Sequence, residues 1–255
     1  MSAESPYQSS FLCAPWNRIR IAPWLFSLLV LALLTAVRFY AVFSGSPWGN
    51  LLFLFVFLAM WALPFIVLSA QGRREIGLRK QGNSPSALAL SALAGAFAGY
   101  AVYAAGMALF GASPDNWCVS IRDSIHLAEM RAAMPLAAAF AAVVLPAMIF
   151  SPIGEEILFR GLLHQSFVRR WNVPVATAVN GLAFGLVHLH VHGLWRDAAG
   201  FHPRLVSGAL MVLLMAGVSA VFTLCRMRTG SLYAAMVAHS SCNLAMIGAI
   251  FLQYA

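Results

Sequence analysis

Long apolar runs alternate with short polar segments along the whole sequence. Seven runs are long enough to cross the hydrocarbon core of a bilayer as helices, which takes about 20 residues each. They cover 23–43, 48–70, 87–110, 135–168, 173–190, 205–225 and 231–252. The first run exceeds the roughly 7 to 15 residues of a signal-peptide core, so we interpret it as an uncleaved span. The pattern predicts an all-α fold, a polytopic transmembrane helical bundle of about seven spans.

The fourth run is too long for one straight span. As an unbroken α-helix, residues 135–168 would extend for about 50 Å. Pro146 and Pro152 are the expected positions of a kink or break, because proline removes a backbone donor inside a helix. The chain is expected to be a single integral membrane domain over 1–255, with 1–134 supplying three spans and 135–255 the core that carries the candidate site.

Composition and charge also indicate a membrane protein. The chain is 61% hydrophobic and 9% charged, against about 25% charged residues in soluble domains. The net charge of +8 requires no nucleic-acid partner, because basic residues collect in cytoplasmic loops of membrane proteins. The single lysine among sixteen basic residues suggests a GC-rich bacterial genome, so the expected location is the bacterial inner membrane.

The distribution of basic residues predicts which side of the membrane each terminus occupies. When the alternating loops are assigned to two sides, ten basic residues fall on the side of the amino terminus and four on the other. This count predicts a cytoplasmic amino terminus and an external carboxyl terminus. The ten are Arg18, Arg20, Arg73, Arg74, Arg79, Lys80, Arg169, Arg170, Arg226 and Arg228, and the four are Arg122, Arg131, Arg196 and Arg204.

Two adjacent carboxylates interrupt the fourth apolar run. Glu155 and Glu156 lie in the segment PIGEEILFRG, followed by Arg160. An ionisable group at bilayer depth costs at least about 2.5 kcal/mol, so such residues usually face a protein interior and mark a functional path. Glu156 and Arg160 are spaced i, i+4 on one helix face, whereas Glu155 is rotated by about 100°. We therefore expect Arg160 to neutralise Glu156 and leave Glu155 free.

Two later runs carry polar residues at the same helical spacing. His188 follows Phe184 in FGLVH, and Asn243 follows His239 in HSSCN. Polar groups buried in hydrocarbon need partners, so these faces are expected to converge with the glutamates on one site. A glutamate can act as general base on water, while histidine or asparagine can donate hydrogen bonds to the oxyanion of an attacked carbonyl. The set fits peptide hydrolysis.

A metal site is the open alternative for these residues. Two histidines and two glutamates could hold Zn²⁺, in which case Glu155, His188 and His239 would be the ligands. No compact ligand motif such as HExxH is present, so no cofactor is expected. The cysteines are isolated, which predicts neither a disulfide framework nor a structural zinc site. They are Cys13, Cys118, Cys225 and Cys242.

The remaining polar residues near span ends have simpler interpretations. Arg38 lies near the outer end of the first span, where its side chain is expected to snorkel to the interface. His126 falls in a loop and is expected to be solvated. Interfacial or loop positions are expected for the four other histidines, namely His164, His190, His192 and His202.

Three motifs resemble those of a known family. The segment from Glu155 to Arg160 is similar to EExxxR, the segment from Phe184 to His188 to FxxxH, and the segment from His239 to Asn243 to HxxxN. These motifs characterise the CPBP or Abi family of intramembrane endopeptidases related to the type II CAAX prenyl protease. The resemblance extends over about 135–252, in family order, and leaves 1–134 as the variable part.

This resemblance implies a mechanism. Glu155 would be the catalytic base, and Glu156 its supporting partner, held by Arg160. His188, His239 and Asn243 would position water and stabilise the oxyanion. The expected substrate is a membrane-anchored, lipid-modified or sorting-signal-bearing protein cut near its carboxyl terminus within the lipid bilayer. A non-enzymatic membrane protein of the same fold, such as a bacteriocin immunity or scaffold factor, and a proton-coupled transporter remain the alternatives.

Overall fold

A bundle of seven long helices forms the protein. The computed structural model describes residues 11–19, 21–78 and 83–254. Within this part of the chain, seven helices are long and apolar enough to cross a membrane, which confirms the predicted all-α polytopic bundle. They are Pro23–Phe43 (span 1), Gly49–Ile66 (span 2), Pro85–Phe110 (span 3), Leu136–Arg170 (span 4), Val173–His190 (span 5), Leu205–Thr229 (span 6) and Leu232–Tyr254 (span 7).

Local sequence sets where several spans begin. At span 3, Ser84 Oγ accepts a hydrogen bond from the Ala87 backbone N–H at 3.2 Å, and Pro85 occupies the first turn. At span 5, Asn172 Oδ1 accepts from the Val175 N–H at 3.0 Å. These caps satisfy backbone donors that have no partner inside the helix, and proline costs nothing at a first turn that lacks such bonds.

Short elements occupy the connections. An antiparallel hairpin, which the sequence pattern did not predict, pairs β1 (Leu194–Asp197) with β2 (Gly200–Pro203), so that Leu194 faces Pro203. It lies between spans 5 and 6. The other short elements are the helices Ala70–Glu75, Trp117–Ser124 (the loop helix) and Leu127–Ala133, and the 3₁₀ turns Trp16–Arg18 and His188–His190.

Contacts between loops place the connections on two sides, as seven alternating spans require. On the amino-terminal side, Leu12 bridges Leu68 and the Leu232 N–H donates to the Gly77 carbonyl at 3.0 Å. On the opposite side, the Arg196 guanidinium donates to the Phe43 carbonyl. Which side faces the cytoplasm stays a prediction, and three residues of the charge count, Arg20, Arg79 and Lys80, lie outside the described residues.

Span 4 is interrupted, but not at its prolines. It is α-helical over Leu136–Glu156, through both Pro146 and Pro152, then π-helical over Ile157–Leu163 and α-helical again over His164–Arg170. The helix is therefore not broken at either proline, and the irregular segment begins directly after the double glutamate instead. π-Helical turns are uncommon and frequently lie at functional sites.

Spans 3 and 7 approach each other at backbone contact distance. A Cβ atom on Gly95 would lie 1.8 Å from the Ala238 carbonyl oxygen, and one on Gly99 would lie 2.1 Å from the Cys242 carbonyl oxygen. Two glycines four residues apart let helix backbones pack this closely in membranes, where dispersion rather than water drives association. Span 3 therefore determines the position of the span 7 backbone beside His239.

Three of the four remaining histidines are buried. The expectation of an interfacial or loop position is wrong for His164 and His190, which lie in helical segments inside the bundle, whereas His192 lies in a loop as expected. His164, His190 and His192 are 1%, 7% and 0% exposed. His202 lies in the hairpin and is partly exposed, and His126 is exposed, as predicted. Neighbouring spans cover His164 and His190, whereas the loop helix packs against His192.

His192 ties the loop helix to span 6. Its Nδ1 and Nε2 atoms lie 2.8 Å from Ser120 Oγ and 2.9 Å from Ser207 Oγ. Burial, reinforced by the positive charge of Arg204, lowers the pKa of His192 to about 4. The ring is therefore neutral at physiological pH and bridges two hydroxyls, which fixes the loop helix over the bundle.

Candidate functional site

The EExxxR segment forms a closed ion-pair network at the centre of the bundle. Arg160 Nη1 donates to Glu156 Oε1 at 3.0 Å, and both side chains are fully buried. The Arg160 guanidinium also lies over the rings of Phe184, at 4.4 Å, and Phe222, at 5.1 Å. The expected neutralisation of Glu156 by Arg160 is present.

His239 is bound to the same carboxylate. Its Nδ1 lies 2.8 Å from Glu156 Oε1, and its ring stacks on Phe222 with centroids 4.8 Å apart. Because Glu156 Oε1 already accepts from Arg160, the His239 Nδ1–H is the donor in this contact. A neutral His239 then carries a lone pair on Nε2, and this atom lies 3.9 Å from Glu155 Oε2. Glu156 thus fixes the tautomer of His239.

Glu155 is paired as well, with Arg38, which the sequence did not indicate as a site residue. Arg38 Nη2 donates to Glu155 Oε1 at 2.7 Å, and Arg38 is only 4% exposed. The expectation that Arg38 snorkels to the interface is wrong, and Glu155 is not free of arginine pairing. The signal that could have identified Arg38 is a charge within an otherwise apolar run, the criterion that singled out the glutamates.

His188 and His190 lie together at the end of span 5. His188 Nδ1 lies 2.7 Å from the Phe184 carbonyl oxygen, and His190 Nδ1 lies 2.5 Å from the Val187 carbonyl oxygen. A carbonyl oxygen only accepts, so each Nδ1 is protonated and each neutral ring presents Nε2 as an acceptor. Their centroids are 6.3 Å apart, because the 3₁₀ turn brings together residues that a straight α-helix would separate.

Asn243 contacts span 4 instead of the ion pairs. Its Nδ2 donates to the Ala147 carbonyl at 2.8 Å. One amide N–H is therefore used in helix packing, and the second N–H and the side-chain oxygen remain for a further partner. The neighbouring Ser240 Oγ donates in the same way to the Met148 carbonyl at 2.7 Å. These two bonds fix the face of span 7 against span 4.

A cavity of about 510 Å³ borders this network. Its walls come from all seven spans and the loop helix, and they are mostly aromatic and aliphatic. Lining residues that are exposed at the protein surface lie on span 2, span 4 and the loop helix, namely Asn50, Leu54, Pro146 and Ser124. The polar side chains that face the cavity near the network are Arg38, His188, His190, His239 and Asn243.

The catalytic candidates Glu155 and Glu156 are fully enclosed. Both are 0% exposed, and neither contributes to the cavity wall. Arg38 and His239, which contact these carboxylates, do contribute to it. The network and the cavity are therefore adjacent, with the basic side chains at their boundary.

The same side chains include the possible ligands of a metal ion. In the part of the chain that the structure describes, no group of three His, Cys, Asp or Glu side chains is arranged to hold a metal ion. Of the three ligands considered from the sequence, Glu155 is bound to Arg38, while His239 uses Nδ1 on Glu156 and His188 uses Nδ1 on the Phe184 carbonyl. Both histidines keep Nε2 as a possible ligand atom, so the absence of a resident metal stays a prediction.

Fold and site together define a class, a multi-pass membrane protein with buried carboxylates, histidines and an asparagine beside an apolar cavity. Residues 137–245 match the family model described as type II CAAX prenyl endopeptidase Rce1-like. This range contains all seven motif residues, so the resemblance to the CAAX protease family is confirmed there, and the family is one of proteases. No curated protein and no solved structure matches the chain.

Proposed function

We propose that the protein is an intramembrane endopeptidase that hydrolyses a peptide bond near the carboxyl terminus of a membrane-anchored, lipid-modified substrate, with Glu155 as general base. The observation that carries this proposal is the distance between two hydrogen-bond acceptors, one on Glu155 and one on His239. Glu155 Oε2 makes no hydrogen bond with any residue that the structure describes, and it lies 3.9 Å from Nε2 of His239, which is an acceptor when the ring is neutral. A separation of this length between two acceptors suits a bridging water.

A water in that position would donate one hydrogen to Glu155 Oε2 and the other to His239 Nε2. Its oxygen then keeps a lone pair for the scissile carbonyl carbon. As the new C–O bond forms, Glu155 takes a proton from the water and the carbonyl becomes an oxyanion. When the tetrahedral intermediate collapses, the C–N bond breaks and protonated Glu155 gives the proton to the leaving amine. Both the carboxylate and the neutral histidine return to their starting forms.

The oxyanion needs hydrogen-bond donors, and the geometry distinguishes between the two expected ones. The ring proton of a neutral His239 is committed to Glu156, whereas Asn243 has a second amide N–H and faces the cavity. We therefore assign the oxyanion contact to Asn243 and water positioning to His239 and His188. Glu156 and Arg160 support the site by holding the His239 ring and its tautomer.

The cavity suggests the class of substrate. Its volume of about 510 Å³ falls in the range of ligand pockets, and its walls are apolar apart from the side chains next to the network. An apolar chain covalently attached to a peptide would occupy the cavity and bring the peptide to the network. The description of the matched family names a CAAX prenyl endopeptidase. A farnesylated peptide with three residues after the modified cysteine is therefore the appropriate probe.

Glutamine substitution tests the assignment of the base. Glu155→Gln, purified and reconstituted in proteoliposomes, is expected to abolish cleavage of the farnesylated peptide, because an amide cannot accept the proton of water. Glu129→Gln is the matched control, because Glu129 is an exposed glutamate of the opposite-side loop. Cleavage by the Glu155→Gln variant at the wild-type rate would refute the assignment. A folded wild-type protein that cleaves no lipid-modified peptide would instead favour the non-enzymatic or transporter alternatives.

The setting in which this reaction would occur is also part of the proposal. We expect a bacterial inner membrane with the amino terminus in the cytoplasm, and no resident metal. Loop contacts support two distinct sides, and reporter fusions to both termini test their orientation.

A further inference from the structure

The strongest observation outside the matched region concerns Arg38. This residue belongs to span 1, whereas the family match covers residues 137–245. It is the partner of the candidate base, with Nη2 2.7 Å from Glu155 Oε1, and it lies in the cavity wall. Its guanidinium also lies over the rings of Phe53, at 5.2 Å, and Phe57, at 5.0 Å, both from span 2.

We propose that Arg38 is the positioning residue of the catalytic carboxylate, holding Glu155 through Oε1 so that only Oε2 is presented to water. This inference rests on the proposed endopeptidase function and adds a residue from the variable part of the chain to the site. Arg38 acts through Glu155, and the two phenylalanines fix the guanidinium in turn. The base is thereby oriented from span 1, while its partner His239 is oriented from span 4 through Glu156.

The energetics of the pair support a functional role. Burying two charges is costly because both lose their hydration, and replacing a buried pair by apolar residues is often neutral or stabilising. Arg38 adds to this cost, because its Nε and Nη1 are buried without a hydrogen bond to any described residue. If the pair served only to stabilise the fold, two apolar residues at these buried positions would do so at least as well. Orientation of one carboxylate oxygen is a role that an apolar substitute could not perform.

The geometry also separates this role from neutralisation alone. Glu156 is neutralised by Arg160 one helical turn away, on the same span. Glu155 could be neutralised in the same way, yet its partner lies 117 residues earlier in the chain, on another helix. A contact between two helices neutralises the charge and also fixes the distance between the helices. Arg38 therefore links the position of span 1 to the position of the Glu155 carboxylate.

The test compares Arg38→Lys and Arg38→Met with the wild type in proteoliposomes, using the farnesylated peptide as probe. Arg38→Lys keeps the charge but loses the planar fork, and a displacement of about 1 Å at a reacting group can cost about 10²-fold in rate. We expect kcat to fall 10- to 100-fold with KM within threefold, and further in Arg38→Met. Arg226→Lys is the matched control, because Arg226 is a buried arginine that contacts Gln165 and the Glu75 carbonyl. It should lower thermal stability without this loss of kcat.

A double-variant measurement excludes a purely structural role. In a Glu155→Asp variant the carboxylate is one methylene shorter and already lies away from Arg38 and the water. Adding Arg38→Lys to this variant should therefore reduce kcat by less than threefold. Multiplicative losses, or an Arg38→Lys protein that is destabilised but keeps its kcat per folded molecule, would overturn the inference and leave the proposed function intact. Absence of cleavage by the folded wild type would overturn both. If Arg38→Met does not fold, Arg38→Lys alone decides the outcome.

Discussion

The close approach of spans 3 and 7 provides a test of how the backbone positions the candidate site. In Gly99→Ala, the new Cβ would lie 2.1 Å from the Cys242 carbonyl oxygen, and ordinary contact begins at 3.4 Å. The two backbones must therefore separate by about 1.3 Å at this point. Cys242 directly precedes Asn243, and His239 lies one turn earlier, so both candidate side chains move with the backbone.

The expected size of the effect follows from that displacement. A misplacement of about 1 Å can cost about 10²-fold in rate, or about 2.7 kcal/mol in the activation free energy. Overpacking of this kind also destabilises a fold by about 1 to 3 kcal/mol. Gly99→Ala should therefore cleave the farnesylated peptide about 100-fold more slowly than wild type in proteoliposomes, with a lower midpoint of thermal unfolding.

The matched control lies on span 7 itself. A Cβ on Gly248 would meet no atom within 4 Å, so Gly248→Ala should keep kcat within twofold of wild type. Comparing the two variants removes any general effect of replacing glycine in these helices. A folded Gly99→Ala protein with the wild-type rate would refute the claim that span 3 positions the site. If Gly248→Ala lowered kcat equally, the loss would be a general effect of replacing glycine and would not support the claim.

Three further predictions concern the site and the loop above it. Asn243→Ala should lower kcat by about 10²- to 10³-fold with little change in KM, because one oxyanion donor is lost; a change in thermal stability alone would place Asn243 in helix packing. Activity should survive a zinc chelator, and loss that added Zn²⁺ restores would contradict this. His192 has a pKa lowered to about 4, so its contribution to stability is complete above about pH 6.5 and is lost as pH falls from there toward 4. The thermal midpoint should fall over that interval, and less so in His192→Gln; identical pH profiles would exclude His192 as the cause.

The hydrophobic pattern was sufficient to predict the spans, because helix length in a bilayer is set by a fixed thickness. Span 1 begins and ends where the apolar run predicted, at Pro23 and Phe43. The hairpin could not be predicted in this way. Its strands have four residues each, and the pairing of Leu194 with Pro203 depends on the ends of spans 5 and 6 being held together.

The site was predictable where its contacts are local. The pairing of Glu156 with Arg160 follows from helical spacing, and three motifs in order indicated which spans converge. The Arg38 contact depends on the packing of two helices distant in sequence, and no spacing rule describes it. The burial of His164 and His190 could not be predicted for a related reason, because their rings are covered by neighbouring spans that are distant in sequence.

The π-helical segment Ile157–Leu163 makes span 4 sensitive to its length as well as to its residues. Before this segment, the helix directs the glutamates into the site. After it, Ser166 Oγ lies 2.8 Å from Ser27 Oγ, and His164 Nε2 lies 3.2 Å from Thr177 Oγ1. Deleting one residue within the segment would rotate one half against the other by about 100°. Either the glutamates or the downstream contacts would then face lipid. Homologous proteins that retain this site should accept substitutions in the segment far more readily than single-residue deletions.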